Sequence, residues 1–94
     1  MLASLLLCCH APEWLGPTTA ARWYPPEGLV TQLRDSNDVC AGMRLSRPNV
    51  RWYTVPGMFW SPAGDATLGY WTGDDRIYLA DPPATWVMRH ELLH

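Results

Sequence analysis

Clusters of turn-forming residues cut the second half of this chain into pieces too short for anything but a small, strand-rich domain. Pro56-Gly57, residues 61–65 (SPAGD), residues 72–75 (TGDD) and Asp81-Pro82-Pro83 follow one another closely. Proline lacks a backbone donor and glycine tolerates left-handed backbone, so each cluster ends whatever precedes it. Residues 49–55 (NVRWYTV), rich in β-branched and aromatic side chains, read as a strand. Val50, Trp52 and Thr54 would line one side of it, and Arg51, Tyr53 and Val55 the other. Residues 58–60 form a short apolar piece. Residues 67–71 (TLGYW) and 76–80 (RIYLA) are two further strands, and the four residues between them predict an antiparallel hairpin. Asp81 as N-cap and Pro82 at the first helical position predict a helix over residues 82–94. No stop signal follows within it.

The first half is less patterned. Residues 13–25 read as a linker in which Trp14, Trp23 and Tyr24 dock on the domain. Pro25-Pro26-Glu27 is a helix-start signal, and Leu29, Val30 and Leu33 make one apolar stripe, so a short helix is expected over residues 26–36. With 94 residues, 48% of them hydrophobic and 17% charged, the chain is globular in composition and no larger than one small domain or a piece of one. Its expected class is α+β, a small, twisted, mainly antiparallel sheet packed on a helix. A core this small gains from a staple, a metal or a partner.

Composition also excludes functions. The net charge is −2 and all seven basic residues are arginines scattered along the chain, which excludes nucleic acid as a partner, because phosphate neutralisation needs clustered cations. No apolar run approaches the roughly 18 residues of a membrane-spanning helix. Gly57, Gly64, Gly69 and Gly73 are isolated, so there is no phosphate-cradling loop. Ser4, Ser36, Ser46 and Ser61 lack the setting of a serine hydrolase, and nothing local supports Cys40 as a nucleophile.

Residues 1–12 open with an apolar run, LASLLLCC, before His10. This has the form of a signal or lipoprotein segment with a cysteine at the acylation position, which places the protein outside the cell or lipid-anchored at a bacterial cell envelope. A membrane would then be met only through that anchor. The competing reading is a buried apolar element with two inert thiols. An exported Cys40 is expected in a disulfide with Cys8, Cys9 or a cysteine of another chain.

The final helix carries the chemistry. His90-Glu91-Leu92-Leu93-His94 is H-E-x-x-H. Residues four apart lie one above the other on a helix, so His90 and His94 can turn ring nitrogens to one zinc ion. Glu91, about 100° round from His90, reaches a zinc-bound water without displacing it and is the candidate general base. Met88 and Leu92 fall on the opposite, core side, while Trp86 and Val87 wall the pocket. The bland alternative is an amphipathic helix with two solvated histidines and a glutamate.

On these residues the segment 67–94 resembles the central part of a zincin metallopeptidase, and the chain is similar to small secreted bacterial zincins. The motif covers five residues; the order helix, strand, edge strand, strand, motif helix is the looser part of the likeness. The resemblance implies hydrolysis of peptide bonds in a peptide or protein substrate, with His90 and His94 as Zn2+ ligands and Glu91 activating a zinc-bound water. It also implies that the backbone of Thr67, Leu68, Gly69, Tyr70 and Trp71 binds an extended substrate by strand addition. Zincins take a third ligand after the motif. The expectation is therefore that residues 26–94 are the N-terminal part of a catalytic domain, a fragment inactive by itself. Asp65, Asp74, Asp75 and Asp81 precede the motif and read better as turn and cap residues.

A second function class rests on the aromatic residues. Trp52, Tyr53, Phe59, Trp60, Tyr70 and Trp71 would serve a secreted, non-catalytic domain that binds protein or glycan and in which the H-E-x-x-H is incidental. Core packing is the expected role of most of them, since a small sheet needs large side chains.

Overall fold

The computed structural model describes residues 14, 16–47 and 49–94. The expected signal segment, with Cys8 and Cys9, lies outside the described residues. The elements are β1 (Ala21–Trp23), α1 (Leu29–Ala41), β2 (Arg51–Pro56), β3 (Phe59–Trp60), β4 (Ala66–Thr67), β5 (Gly69–Trp71), β6 (Arg76–Asp81) and α2 (Thr85–Leu92). Four strands form one sheet in the order β1-β2-β6-β5, and β3 and β4 form a separate ribbon. The class is α+β, with two helices and a mixed sheet.

The outer pairings, β1 with β2 and β5 with β6, are antiparallel, the second as the hairpin signal predicts. The central pairing, β2 with β6, is parallel, with Trp52 beside Ile77 and Tyr53 beside Tyr78. The mainly antiparallel sheet expected from the sequence therefore holds only for the flanks. Local sequence reports where strands lie but not the direction in which distant strands meet. The parallel pair is made possible by the excursion through β3, β4 and β5, which returns the chain to the starting end of β2.

Strand alternation sorts the core onto two faces. Trp52, Ile77 and Leu79 join Val87 and Met88 of α2, and Trp23, Val50 and Trp71 pack around them. Val55, Phe59 and Tyr78 fill the other face, with Trp14, Tyr53 and Tyr70 against them. Trp14 meets both Tyr70 and Tyr78 edge to face, each at 5.0 Å between ring centres. Its carbonyl accepts a hydrogen bond from Arg76. Core packing thus accounts for Trp52 and Phe59, whereas Trp60 is exposed.

Five local expectations change. The segment read as a linker carries β1, because Arg22 and Trp23 pair with Tyr53 and Trp52. Trp14 and Trp23 dock as expected, but Tyr24 is exposed beneath the Arg22 guanidinium. The first helix begins at Leu29 and not at Pro26, because Gly28 adopts a left-handed φ of 80° that makes residues 26–28 a turn. It continues past Ser36 to Ala41, where Gly42 closes it with its N–H on the Val39 carbonyl.

The last helix runs from Thr85 to Leu92, stopping short of the expected end at His94, and Asp81 ends β6 instead of capping it. Two successive prolines explain the delay, since a residue that precedes proline is driven out of helical backbone. Finally, the single strand over residues 67–71 is divided at Leu68. Ala66–Thr67 pairs with β3, whereas Gly69–Trp71 pairs with β6 as the sheet's edge.

Candidate metal centre

Helix α2 lies against β5 and β6 by its inner face. Val87, Met88 and Glu91 are buried, with Met88 at 1% exposure. Its last residues turn outward, with Leu93 N–H on the His90 carbonyl and His94 N–H on the Glu91 carbonyl. His90 and His94 are both exposed, and their Nε2 atoms stand 3.2 Å apart. Glu91 Oε1 lies 3.7 Å from His94 Nε2. Among the described residues, His90, Glu91 and His94 form the group able to hold a metal ion, and none of Asp65, Asp74, Asp75 or Asp81 belongs to it. Asp74 is occupied elsewhere, by the Thr72 hydroxyl and the Asp75 N–H.

The two histidine nitrogens have the spacing that two ligands of one tetrahedral ion take. Two nitrogens at the usual Zn–N distance of about 2.05 Å, separated by a tetrahedral angle, lie about 3.3 Å from each other. The observed spacing of the two rings is close to that. Glu91 adds a second observation: it is 6% exposed, and its Oε2 has no hydrogen-bond partner in the protein. Burial pushes the Glu91 carboxyl above the usual carboxylate range, while His94 and His90 pull the other way. An orphaned, buried carboxylate oxygen beside two converging imidazoles is uncommon in a purely structural helix.

The edge strand passes over this group. A Cβ on Gly69 would come within 2.5 Å of Val87 Cγ1 and 3.2 Å of Glu91 Cγ, so glycine is what permits β5 to approach. A hollow of about 270 Å3 opens on the His90 side, lined by Thr67, Leu68, Gly69, Trp86, Val87 and Glu91. Trp86 and Val87 do wall it, as the helical wheel predicts. A second hollow, of about 300 Å3, opens on the His94 side and reaches Trp71. Trp71 lies beside the His94 ring, 6.4 Å between centres.

Of the five edge residues, Thr67 and Gly69 are tied together. The Thr67 hydroxyl donates to the Gly69 carbonyl (2.6 Å) and accepts from the Gly69 N–H (3.2 Å). A peptide can pair with those two groups only if the hydroxyl turns away. The Leu68 carbonyl is engaged by the Ala80 N–H.

The sequence reading missed Asn37. This side chain, 2% exposed, is the one buried residue of α1. Its Nδ2 donates to the Arg89 carbonyl at 3.1 Å, and its Oδ1 accepts from Arg89 Nε at 2.9 Å. Arg89 also reaches Cys40 Sγ, at 3.2 Å; Cys40 is exposed and, among the described residues, has no disulfide partner. The turn bearing His90 is thereby clamped to α1. The missed signal was the placement of Asn37 four residues after Leu33, in line with the apolar stripe.

No helix among the described residues is long and apolar enough to cross a membrane. No protein-family model, no curated protein and no solved structure matches the chain.

Proposed function

We propose that this chain carries the catalytic helix of a zincin-type, zinc-dependent peptide hydrolase, acting outside the cell or at the bacterial envelope. The observation that carries the proposal is the convergence of His90 Nε2 and His94 Nε2, 3.2 Å apart, beside the buried Glu91 carboxyl. His90 and His94 would hold Zn2+ through these nitrogens. When bound, zinc supplies Lewis acidity, polarising a substrate carbonyl and acidifying water.

The remaining work falls to the protein's own groups. Glu91 is the general base: its raised affinity for protons suits it to take one from water at a carboxylate oxygen and return it to the leaving amine. The backbone of β5, from Gly69 to Trp71, orients an extended peptide at the sheet edge. Leu68 and Trp86, 40% and 66% exposed, form an apolar rim on the His90 side that suits a hydrophobic substrate residue.

The test is zinc titration against a competing chelator, together with hydrolysis of a quenched-fluorescent peptide pool. His90→Ala and His94→Ala should each weaken zinc by roughly two orders of magnitude. Glu91→Gln should retain zinc and, where a third ligand is supplied so that the unsubstituted protein cleaves peptides, lose hydrolysis. Zinc affinity unchanged in both histidine variants would sink the proposal.

One observation favours a second reading, a non-catalytic domain that binds glycan or protein. Trp60, 70% exposed, stands with Met58 at a hollow of about 340 Å3 on the far face of the sheet. On that reading Trp60→Ala abolishes binding and the histidine variants leave it intact.

A further inference from the structure

The motif helix does not end as a regular helix would. In a regular helix each N–H bonds to the carbonyl four residues back, which pairs Leu93 with Arg89. Here Leu93 N–H turns to the His90 carbonyl at 3.1 Å and His94 N–H to the Glu91 carbonyl at 3.3 Å, each three residues back. The last turn is tightened, and the Arg89 carbonyl gives up its helical donor. Asn37 supplies another. Its Nδ2 reaches that carbonyl at 3.1 Å from α1, 52 residues away in the chain. We propose that Asn37 is a positioning residue for the histidine pair: it caps the Arg89 carbonyl from α1, and this cap holds the tightened turn that brings His90 Nε2 and His94 Nε2 to ligand spacing. Zinc enters through the peptidase reading and rests on it; the cap and the ring placement do not.

Three observations support the assignment. The first is burial. Asn37 is 2% exposed on a helix whose other side chains are partly or fully exposed. It stands in line with Leu29, Val30 and Leu33, where a leucine would pack without cost. A buried amide is stable there only with its hydrogen bonds made. The second is that both ends of the amide go to one residue, since its Oδ1 accepts from Arg89 Nε at 2.9 Å. Two bonds to Arg89 fix the amide plane and keep the donor on the carbonyl. The third is place. The capped carbonyl belongs to the peptide that joins Arg89 to His90, so a rotation of that peptide moves the His90 backbone directly. On the sheet side the same turn is held by Met88 and Glu91, both buried. Helix α1 thus grips the turn from outside the core, and it also brings Arg34 to the wall of the His94-side hollow. Asn37 itself touches neither histidine ring.

The test uses the full chain and three variants. Asn37→Asp keeps an acceptor for Arg89 Nε and removes the donor to the carbonyl; Asn37→Ala removes both. Val55→Ala is the control, because Val55 belongs to the core cluster on the opposite face of the sheet, with Phe59 and Tyr78. The cavity it leaves weakens the fold without entering the cluster that contains the motif helix.

The first readout is the nuclear Overhauser effect between the two imidazoles of the metal-free protein, whose ring centres are 5.0 Å apart. The cross-peak should be present in the unsubstituted protein and in Val55→Ala, and lost in Asn37→Asp. The second is zinc affinity by chelator competition, at a temperature where every variant is folded. Both Asn37 variants should bind zinc about tenfold more weakly, as expected when a buried carbonyl loses its partner, and Val55→Ala should change affinity by less than about twofold.

A cross-peak that is absent from the unsubstituted protein, or that persists in folded Asn37→Asp, overturns the proposal. Equal losses of zinc affinity in Val55→Ala and Asn37→Asp overturn it too, since that is the result of a merely structural role. Zinc affinity indifferent to His90→Ala and His94→Ala would refute the metal reading and leave the cross-peak to decide the role of Asn37. Zinc affinity that needs both histidines but ignores Asn37 would do the reverse.

Discussion

Gly69→Ala tests whether the edge strand and the histidine helix are one packed unit. Gly69 is the one glycine of the chain without a positive φ, so alanine meets no backbone penalty there. In an open site the substitution would stabilise by about 0.4–1 kcal/mol, through the unfolded chain's lost freedom. The added methyl, however, would lie 2.5 Å from Val87 Cγ1, 3.2 Å from Glu91 Cγ and 3.5 Å from Leu79 Cδ2. Carbon atoms settle at about 3.5–4.0 Å, so β5 and α2 must separate by about 1 Å or Val87 must leave its rotamer. Overpacking of this kind costs about 1–3 kcal/mol.

The net expectation is destabilisation by about 0.5–2.5 kcal/mol, a fall in Tm of roughly 3–15 °C for a domain of this size. Thermal and urea unfolding of the two proteins measure it. Val87→Ala in the Gly69→Ala background should recover part of the loss, with a coupling of about 0.5–2 kcal/mol in a double-mutant cycle. A Tm that rises or stays put, or additivity with Val87→Ala, would show that strand and helix do not pack as described.

Three further outcomes are expected. Asn37→Ala should lower the urea midpoint by the equivalent of about 2–3 kcal/mol, since it strands a buried carbonyl and a guanidinium N–H; a change under about 0.5 kcal/mol refutes the clamp. In metal-free protein Glu91→Gln should flatten the pH dependence of stability. The folded-state affinity of Glu91 for its proton is raised, so its favourable contribution is full below the ordinary value of 4.5 and is lost as pH rises through the higher folded value. The wild type should therefore lose stability across that window and the glutamine variant should not; parallel profiles measured by chemical denaturation would contradict the burial argument. Thr67→Val should free the Gly69 N–H and carbonyl and so lower KM for extended peptides, and an unchanged KM would place the substrate elsewhere.

Much of the sheet was legible in the sequence because its signals are local. Alternation in residues 49–55 placed Trp52 and Val55 on opposite faces, where they are found. The turn residues 72–75 declared the β5–β6 hairpin. The His90, Glu91 and His94 group was legible because helical spacing turns i and i+4 to one side, and the tightened last turn after Leu92 keeps His94 beside His90.

What escaped the sequence reading depends on distant contacts. Asn37 continues the stripe of Leu33, but a polar residue on a helix reads as solvated until its partner, Arg89, is known. The parallel union of β2 and β6 joins strands with three others between them in the chain. Helix α1 runs past the expected end at Ser36 to Ala41, where Gly42 terminates it. Asp38 is instead tied to the Leu45 N–H and to Arg47.

The way α1 is attached has a consequence for dynamics. Its thirteen residues bury one side chain, and that one is polar; Leu29, Val30 and Leu33 are only partly covered. Strand β6, by contrast, buries four residues in succession, Ile77 to Ala80. Opening free energies within one protein range from near zero to the global value, and weakly buried units open first. Helix α1 is therefore a sub-global unit that detaches while the sheet persists, and its amides should exchange with solvent well before those of β6. In the detached state Arg89 loses its anchor and Arg34 leaves the wall of the His94-side hollow together. Zinc affinity measured in solution is then an average over docked and undocked populations, and a ligand that requires the docked form will bind more weakly by the fraction undocked.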